Sequence, residues 1–486
     1  MQKTKIRPQV AFAIISILLV LSFASGSTAP VLANSLISPN IQSQGEATDY
    51  TVSLPVLLKQ KHSSIFGSEI FPGYVNDIIE QTVAANVSWV RYLGISWAQV
   101  EATQGVRDWY YLNGDLKKIK TISDNGLTPI VIFYNAPMWA RVPEHNQYNC
   151  AAIQETALDD FASFVGEAVS RYSQPPYNIK FWEVWNEPDV SPESLPPPGG
   201  YKSVFGCWGD PDDANFGGGY FAEMLKKVYP AIKNADPFAK VVLGGLLLGC
   251  DPVNPPNGSD CKASSFLNGI LSNGGGSYFD IVAYHAYMYW SLVRSDWDLA
   301  QPFWSQRGGA IAGKLAFIKE VLAQNNVSKP ILINEINLSC TNPPLCPGAQ
   351  FEDDKANAVL RAFVRVWKNG LVGASWYTMN APGWRDSNLL DTTFNPLPAY
   401  STFKFLSTLL KTAAYERQLS TSPIEGYQFS NLNRIYQVYW SINSTSTTID
   451  LPSGTTFVFD KYGTDITPNG SKITVSFDPI IIQINK

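Results

Sequence analysis

Histidine is scarce in this chain: 486 residues include three, His62, His145 and His285. None of them belongs to an H-E-x-x-H, so the paired imidazoles that a zinc hydrolase presents from one helix face are missing, and no metal or other cofactor is expected. The six cysteines contain no C-x-x-C, which sets aside structural zinc and dithiol redox chemistry. No G-x-S-x-G marks a strand-to-helix turn with a nucleophilic serine, and no G-x-G-x-x-G follows an early strand to cradle a dinucleotide. Charge is thin as well. Asp, Glu, Lys and Arg make up 16% of the residues, with a net charge of -5 and a sequence pI of about 5.4. There is no basic surface to neutralise a phosphate backbone, and nucleic acid is not an expected partner.

Long apolar runs are absent except at the start, where Lys3, Lys5 and Arg7 precede the apolar stretch from Val10 to Leu21 and small residues reach Val31-Leu32-Ala33. A run of about twelve residues is too short for a spanning helix, which needs roughly 20. Residues 1–33 therefore read as a secretory signal peptide. The expected location is secreted or extracytoplasmic, at the cell surface if the signal is retained, with no stable membrane insertion after its removal. Disulfides are permitted in such a chain. Six cysteines allow fifteen pairings; short separations in Pro/Gly-rich loops favour Cys250 with Cys261 and Cys340 with Cys346, which leaves Cys150 with Cys207.

Residues 34–58 are polar and Ser-rich, the composition of an arm or linker. A regular alternation follows. Apolar runs that read as buried parallel strands lie near 64–67, 87–95, 128–134, 179–186, 240–244, 279–284, 330–334 and 373–379. Between them, stretches such as 112–123, 157–172, 220–234, 313–324 and 353–368 have helical spacing. Eight βα units in sequence are best satisfied by an α/β fold closed into a (β/α)8 TIM barrel over 59–413. The runner-up, an open doubly wound sheet, lacks its glycine fingerprint. From Ala414 the pattern changes to short alternating runs, IYQVYWSI, TTFVFD and KITVSF, split by turn residues. Residues 414–486 are expected to form a small antiparallel, sandwich-like β domain packed on the barrel, with a carbohydrate-binding module as the alternative role.

Barrels of this kind place reacting groups where strands end at the C-terminal face. Strand four, FWEVWNEPD, is expected to end at Glu187, and strand seven, PILINEIN, at Glu335. Those strands lie across the barrel mouth from each other, so the two carboxylates can face one bound bond. Paired carboxylates are what glycosidic cleavage requires, one to protonate the leaving oxygen and one to attack the anomeric carbon or activate water. Glu183, in the same stretch, has the parity of Glu187 but sits four residues deeper, about 13 Å at roughly 3.3 Å per residue, and is read as structural.

The pair Trp185-Asn186-Glu187-Pro188 and Asn334-Glu335 resembles the signature of the clan A glycoside hydrolases, retaining enzymes on a (β/α)8 barrel, nearest in appearance to families 39 and 5. The resemblance covers roughly residues 60–410, and the closing β domain is similar to that of families 39, 30 and 51. It implies Glu187 as acid/base and Glu335 as nucleophile. It further implies Arg91, in VRYLGISW, beside the nucleophile; His285 and Tyr287, in YHAY, with the Tyr hydroxyl bonded to the nucleophile; and Trp376, in ASWY, flooring the reactive subsite. Asn186 is placed to hydrogen-bond the hydroxyl next to the anomeric carbon, and Asn135 and Trp139, in YNAPMWA, are further candidates for the cleft. The 14 Trp and 13% aromatic content fit flat surfaces that stack on sugar rings. For these roles Glu187 needs a pKa raised by burial and Glu335 needs a cation and donors. The expected activity is hydrolysis of O-glycosidic bonds in a polysaccharide or oligosaccharide by a monomer. The alternative is a non-catalytic carbohydrate-binding protein on the same barrel.

Overall fold

The computed structural model describes residues 64–341, 346, 348–381 and 383–486. The expected signal peptide, the 34–58 arm and the first residues of the 59–413 segment lie outside the described residues. Eight parallel strands close into a barrel in chain order: β1 Phe66–Glu69, β2 Trp89–Ser96, β3 Thr128–Tyr134, β4 Phe181–Val184, β5 Lys240–Leu246, β6 Ile281–Tyr289, β7 Ile331–Ser339 and β8 Ala374–Trp376. Around them run α1 Val75–Ala84, the single turn α2 Trp97–Val100, α3 Asn113–Asp124, α4 Leu158–Tyr172, α5 Gly218–Ala235, α6 Phe266–Ser272, α7 Gly309–Gln324, α8 Ala349–Lys368 and α9 Pro398–Leu410. The α/β barrel expected from the alternation is the fold observed.

Helices cover the strands from outside, which is why Pro129 to Phe133 of β3 and the whole of β7 are buried. Residues that face outward from the strands, such as Val90, Tyr92 and Trp182, join the helices in one core. The residues that point into the barrel include Arg91 and Glu183, and this polar interior positions the site.

Two strand ends depart from the sequence reading. β4 stops at Val184, because Trp185 and Glu187 both take left-handed backbone, with φ of 68° and 47°. β7 does not stop at Glu335; it continues to Ser339 alongside β6, which itself runs on to Tyr289. A bulge makes this possible. Tyr284 pairs with Ile333 but His285 pairs with Glu335, so Asn334 is an extra residue in β7. Bulges re-aim side chains in this way beside functional sites.

The C-terminal strands are β9 Ala414–Ser420, β10 Ile424–Ser430, β11 Arg434–Ser441, β12 Thr447–Asp450, β13 Thr455–Asp460, β14 Lys472–Val475 and β15 Ile480–Asn485. They form an antiparallel sheet of order β13-β15-β11-β10-β9 and the pair β12-β14. This domain packs on α8 through buried charge: Arg365 binds Asp296, Asp298 and Glu425, while Arg361 donates to the carbonyl oxygens of Ser441 and Phe477. The six cysteines pair as Cys150–Cys207, Cys250–Cys261 and Cys340–Cys346, the connectivity favoured above.

Candidate active site

Register brings the first groups together. Glu69, the last residue of β1, pairs with Arg91 of β2, and His285 of β6 pairs with Glu335 of β7. Arg91 is the centre of the cluster. Its Nε and one terminal nitrogen grip Glu183 in a fork at 2.9 and 2.7 Å, and its other terminal nitrogen donates to Glu69 at 2.6 Å and also to Glu335. Burial alone would lower its pKa, but Glu183, Glu335 and Glu69 raise it well above the usual arginine range. Arg91 also donates to Asn186 Oδ1 at 2.8 Å, which leaves the Asn186 amide nitrogen as the group's donor.

Glu187 reaches this cluster because the left-handed residues fold the chain back over the barrel mouth. A non-glycine residue held there costs roughly 1–2 kcal/mol, and such conformations cluster at functional sites. Fixed bonds hold the turn: Glu187 N donates to Gly245 O at 3.1 Å, Trp185 Nε1 donates to Gly206 O at 2.9 Å, and Gly206 N donates to Asn186 O at 2.9 Å. Gly206 precedes Cys207, which is bonded to Cys150. Glu183, read as structural from its place deeper in β4, holds Arg91 directly.

Between the two expected catalytic carboxylates lies one imidazole. His285 Nδ1 is 2.7 Å from Glu187 Oε1, and Nε2 is 3.4 Å from Glu335 Oε1. One oxygen from Glu187 and one from Glu335 lie within 4.8 Å of each other. The same three residues could reach a common cation, but Arg91 and the Tyr287 hydroxyl already donate to Glu335. Burial pushes Glu187 up to about 7 against the pull of Arg91 and Lys314, and pushes His285 down to about 4 against Glu335. A neutral imidazole therefore sits beside a carboxyl group that titrates near neutrality. Two carboxyl groups so close, one near neutrality and one held by a guanidinium and a phenol, can perform acid and nucleophile chemistry on one bond.

Trp376 is not at the mouth. It pairs with Ser68 on the outward face of the barrel, is fully buried, and donates from Nε1 to Ser387 O at 2.8 Å. The aromatic that reaches the cluster is the next residue, Tyr377, whose phenol is held well above its usual range by burial and then by Glu69 and Glu335. The short β8 explains the shift by one residue. Trp384 flanks Tyr287, with ring centroids 5.0 Å apart. Asn135 donates to Ser96 Oγ at 2.9 Å, and Trp139 donates to Glu101 O at 3.1 Å and packs edge-on against Trp97. Both have such contacts within the loops after β2 and β3, and the structure does not bring them to the glutamates.

Several groups of the site escaped sequence reasoning. Glu69 is pushed up to about 8 by burial, against Arg91; extending the first strand by two residues would have placed it at the mouth. Asn334 donates to Glu183 Oε1 at 2.9 Å, an orientation that follows from the bulge. Gly245 leaves room for the imidazole: a Cβ there would lie 2.1 Å from His285 Nε2. Lys314, on the apolar stripe of α7 with Ile311 and Ile318, was legible as a charge at a core position.

No protein-family model and no curated protein matches the chain. Solved structures do. A family 39 glycoside hydrolase from the gut symbiont Bacteroides cellulosilyticus WH2 aligns with a TM-score of 0.64 at 18% identity, over 87% of this chain and 81% of that one. The catalytic domain of a family 30 xylanase C from Talaromyces cellulolyticus gives 0.56 at 15%, over 87% and 98%. A family 51 α-L-arabinofuranosidase from Bifidobacterium longum gives 0.55 at 13%, over 87% and 96%. The chain shares the fold of these glycoside hydrolases. The alignments span most of each chain, so the likeness extends beyond a generic barrel segment.

Proposed function

We propose that the chain is an exported retaining glycoside hydrolase of clan A type that cleaves O-glycosidic bonds of a polysaccharide or oligosaccharide by double displacement. The observation that carries this reading is the approach of Glu187 and Glu335, with an oxygen of each within 4.8 Å. Retaining enzymes hold their two carboxyl groups about 5–5.5 Å apart, whereas inverting enzymes leave roughly 6.5–9.5 Å for a water.

In the first step Glu335 attacks the anomeric carbon while Glu187 gives its proton to the leaving oxygen; in the second Glu187 takes a proton from water, which displaces Glu335. Arg91 and Tyr287 both donate to Glu335 and orient it for attack. Asn186, with its oxygen occupied by Arg91, offers its amide nitrogen to the sugar hydroxyl beside the reacting carbon. Tyr377 and Trp384 supply aromatic surface at the mouth, in the place first assigned to Trp376. The named activities of the solved neighbours support a carbohydrate substrate. The three disulfides suit an oxidising compartment, and no described helix is long and apolar enough to cross a membrane.

The test is a panel of aryl glycosides assayed with wild type, Glu187→Ala and Glu335→Ala, with the anomer of the first product read by NMR. Turnover with retention that each variant abolishes on poor leaving groups is expected. Sugar binding without turnover of any glycoside would establish the alternative, a non-catalytic carbohydrate-binding barrel.

A further inference from the structure

Lys314 is a buried ammonium that the double-displacement scheme does not use. It lies on α7 at 4% exposure, and its Nζ donates to Leu247 O at 2.7 Å and to His285 O at 2.9 Å. These carbonyls belong to the middle of β6 and to the residue just after β5, so one side chain ties two neighbouring strands. Among the described residues, no carboxylate lies within ion-pair distance of it. Burying a charge without a direct counter-ion costs several kcal/mol, and a methionine would dock the helix without that cost. The position needs charge for another reason.

The two tethered segments are the ones that hold Glu187. His285, whose carbonyl accepts from Lys314, sets its ring 2.7 Å from Glu187 Oε1. Leu247, the other acceptor, donates its N–H to Asp189 at 2.9 Å, and Leu248 does so at 2.6 Å, which fixes the loop two residues beyond Glu187. The ammonium is thus tied to both segments that hold the acid/base candidate.

We propose that Lys314 is a positioning residue for Glu187: its ammonium fixes the β5 and β6 backbone that orients Glu187 and, through space, holds that carboxyl group ready to release its proton as well as to donate it. The proposal rests on Glu187 being the acid/base, and it explains how one carboxyl group serves both steps. Burial drives Glu187 toward the protonated form, and Arg91 and Lys314 draw it back. Without Lys314 the balance would favour donation and impede the second step.

The charges around both groups set the sign. Glu187 is faced by Arg91 and Lys314 as cations and by Glu335 and Asp189 as anions, with the neutral His285 in contact. The phenols of Tyr287, Tyr289 and Tyr377 also feel its charge. Lys314 is faced by Asp189, Glu187 and Asp298, with the Trp304 ring beneath it at 5.9 Å. Removing the ammonium raises the midpoint of Glu187, and neutralising Asp189 lowers it.

Two readouts test this on the full chain: the pH profile of kcat/KM, and the Glu187 titration isolated by the infrared difference between each protein and its Glu187→Gln counterpart. The second needs no turnover, so failure of the glycosidase reading and failure of this proposal are distinguishable. Lys314→Gln keeps a donor without the charge and is expected to raise the midpoint by about one pH unit, with the alkaline limb moving alike. Lys314→Arg is expected to leave it in place, and Asp189→Asn to lower it. An unchanged midpoint in folded Lys314→Gln, or equal shifts in the Gln and Arg variants, would overturn the proposal. Should Lys314→Gln not fold, Lys314→Met serves in its place, with the same rise expected and an unchanged midpoint overturning the proposal.

Discussion

Arg91 and Glu183 are joined by two parallel hydrogen bonds, Nε to Oε2 at 2.9 Å and a terminal nitrogen to Oε1 at 2.7 Å, inside the barrel. The fork orients the guanidinium, so that its other terminal nitrogen reaches Glu69 and Glu335 and the second N–H of the forked terminal nitrogen reaches Asn186. An ammonium cannot reproduce this geometry. Arg91→Lys is therefore expected to lower kcat/KM by about 10²-fold or more, the scale seen when one oriented donor is lost. Glu183→Ala removes both bonds of the fork and leaves the buried guanidinium to Glu69, Glu335 and Asn186, and is expected to cost about 3 kcal/mol, read as a lower urea midpoint.

Glu187, pushed up to about 7 by burial, predicts the alkaline limb of activity. With a leaving group that needs protonation, kcat/KM is expected to fall above about pH 7. With a dinitrophenyl glycoside, whose leaving group departs unprotonated, Glu187→Gln is expected to retain glycosylation, seen as a burst, and the limb to disappear. A limb that persists with the dinitrophenyl substrate would place the titrating group elsewhere.

How far the site could be read in the sequence follows from strand geometry. Glu187 and Glu335 were legible because each follows an apolar run and an asparagine. Arg91 was legible because it interrupts an apolar strand. Strand counting alone could not foresee that the chain folds back at Trp185 and Glu187, nor that Trp376 ends the short β8 on its outward face and leaves Tyr377 to reach the cluster. The bulge at Asn334 is equally invisible to a period-two pattern, because it places two consecutive residues of β7 in one polar cluster. The barrel was more legible than the site: alternating strands and helices tolerate errors of two residues, whereas hydrogen-bond contacts do not.

The same titrations predict stability. Glu187 rises from 4.5 in the unfolded chain to about 7 in the fold, so its contribution is complete below pH 4.5 and is lost as pH rises through about 7. His285 falls from 6.5 to about 4, so its contribution is present above pH 6.5 and is lost as pH falls through about 4. Glu187→Gln is expected to stabilise the protein by about 3 kcal/mol at pH 8, and by little at pH 4. Thermal unfolding at the two pH values checks this; equal effects at both would refute the linkage.

Gly245 faces the imidazole so closely that a Cβ would lie 2.1 Å from His285 Nε2 and 2.6 Å from Asn334 Nδ2. Gly245→Ala must displace a ring that sits between Glu187 and Glu335. It is expected to reduce kcat/KM by more than about 10²-fold, with circular dichroism unchanged. Full activity in this variant would show that His285 need not hold its position.

The last prediction concerns the strands from Ala414 onward. If they formed an independent carbohydrate-binding module, a chain ending at residue 413 would fold and keep activity on small glycosides while losing affinity for polysaccharide. The contacts argue otherwise. The Arg361 guanidinium lies 4.1 Å over the Phe477 ring and donates to Ser441 O at 3.3 Å, and Arg365 donates to Glu425 at 2.8 Å, all of it buried against α8. Truncation would leave these arginines to Asp296 and Asp298 alone and uncover the helix that also packs against β7. The intact chain is expected to unfold in one calorimetric transition, and the truncated chain to aggregate or to unfold broadly without activity. A soluble, active truncated barrel would assign the closing domain to binding instead of support.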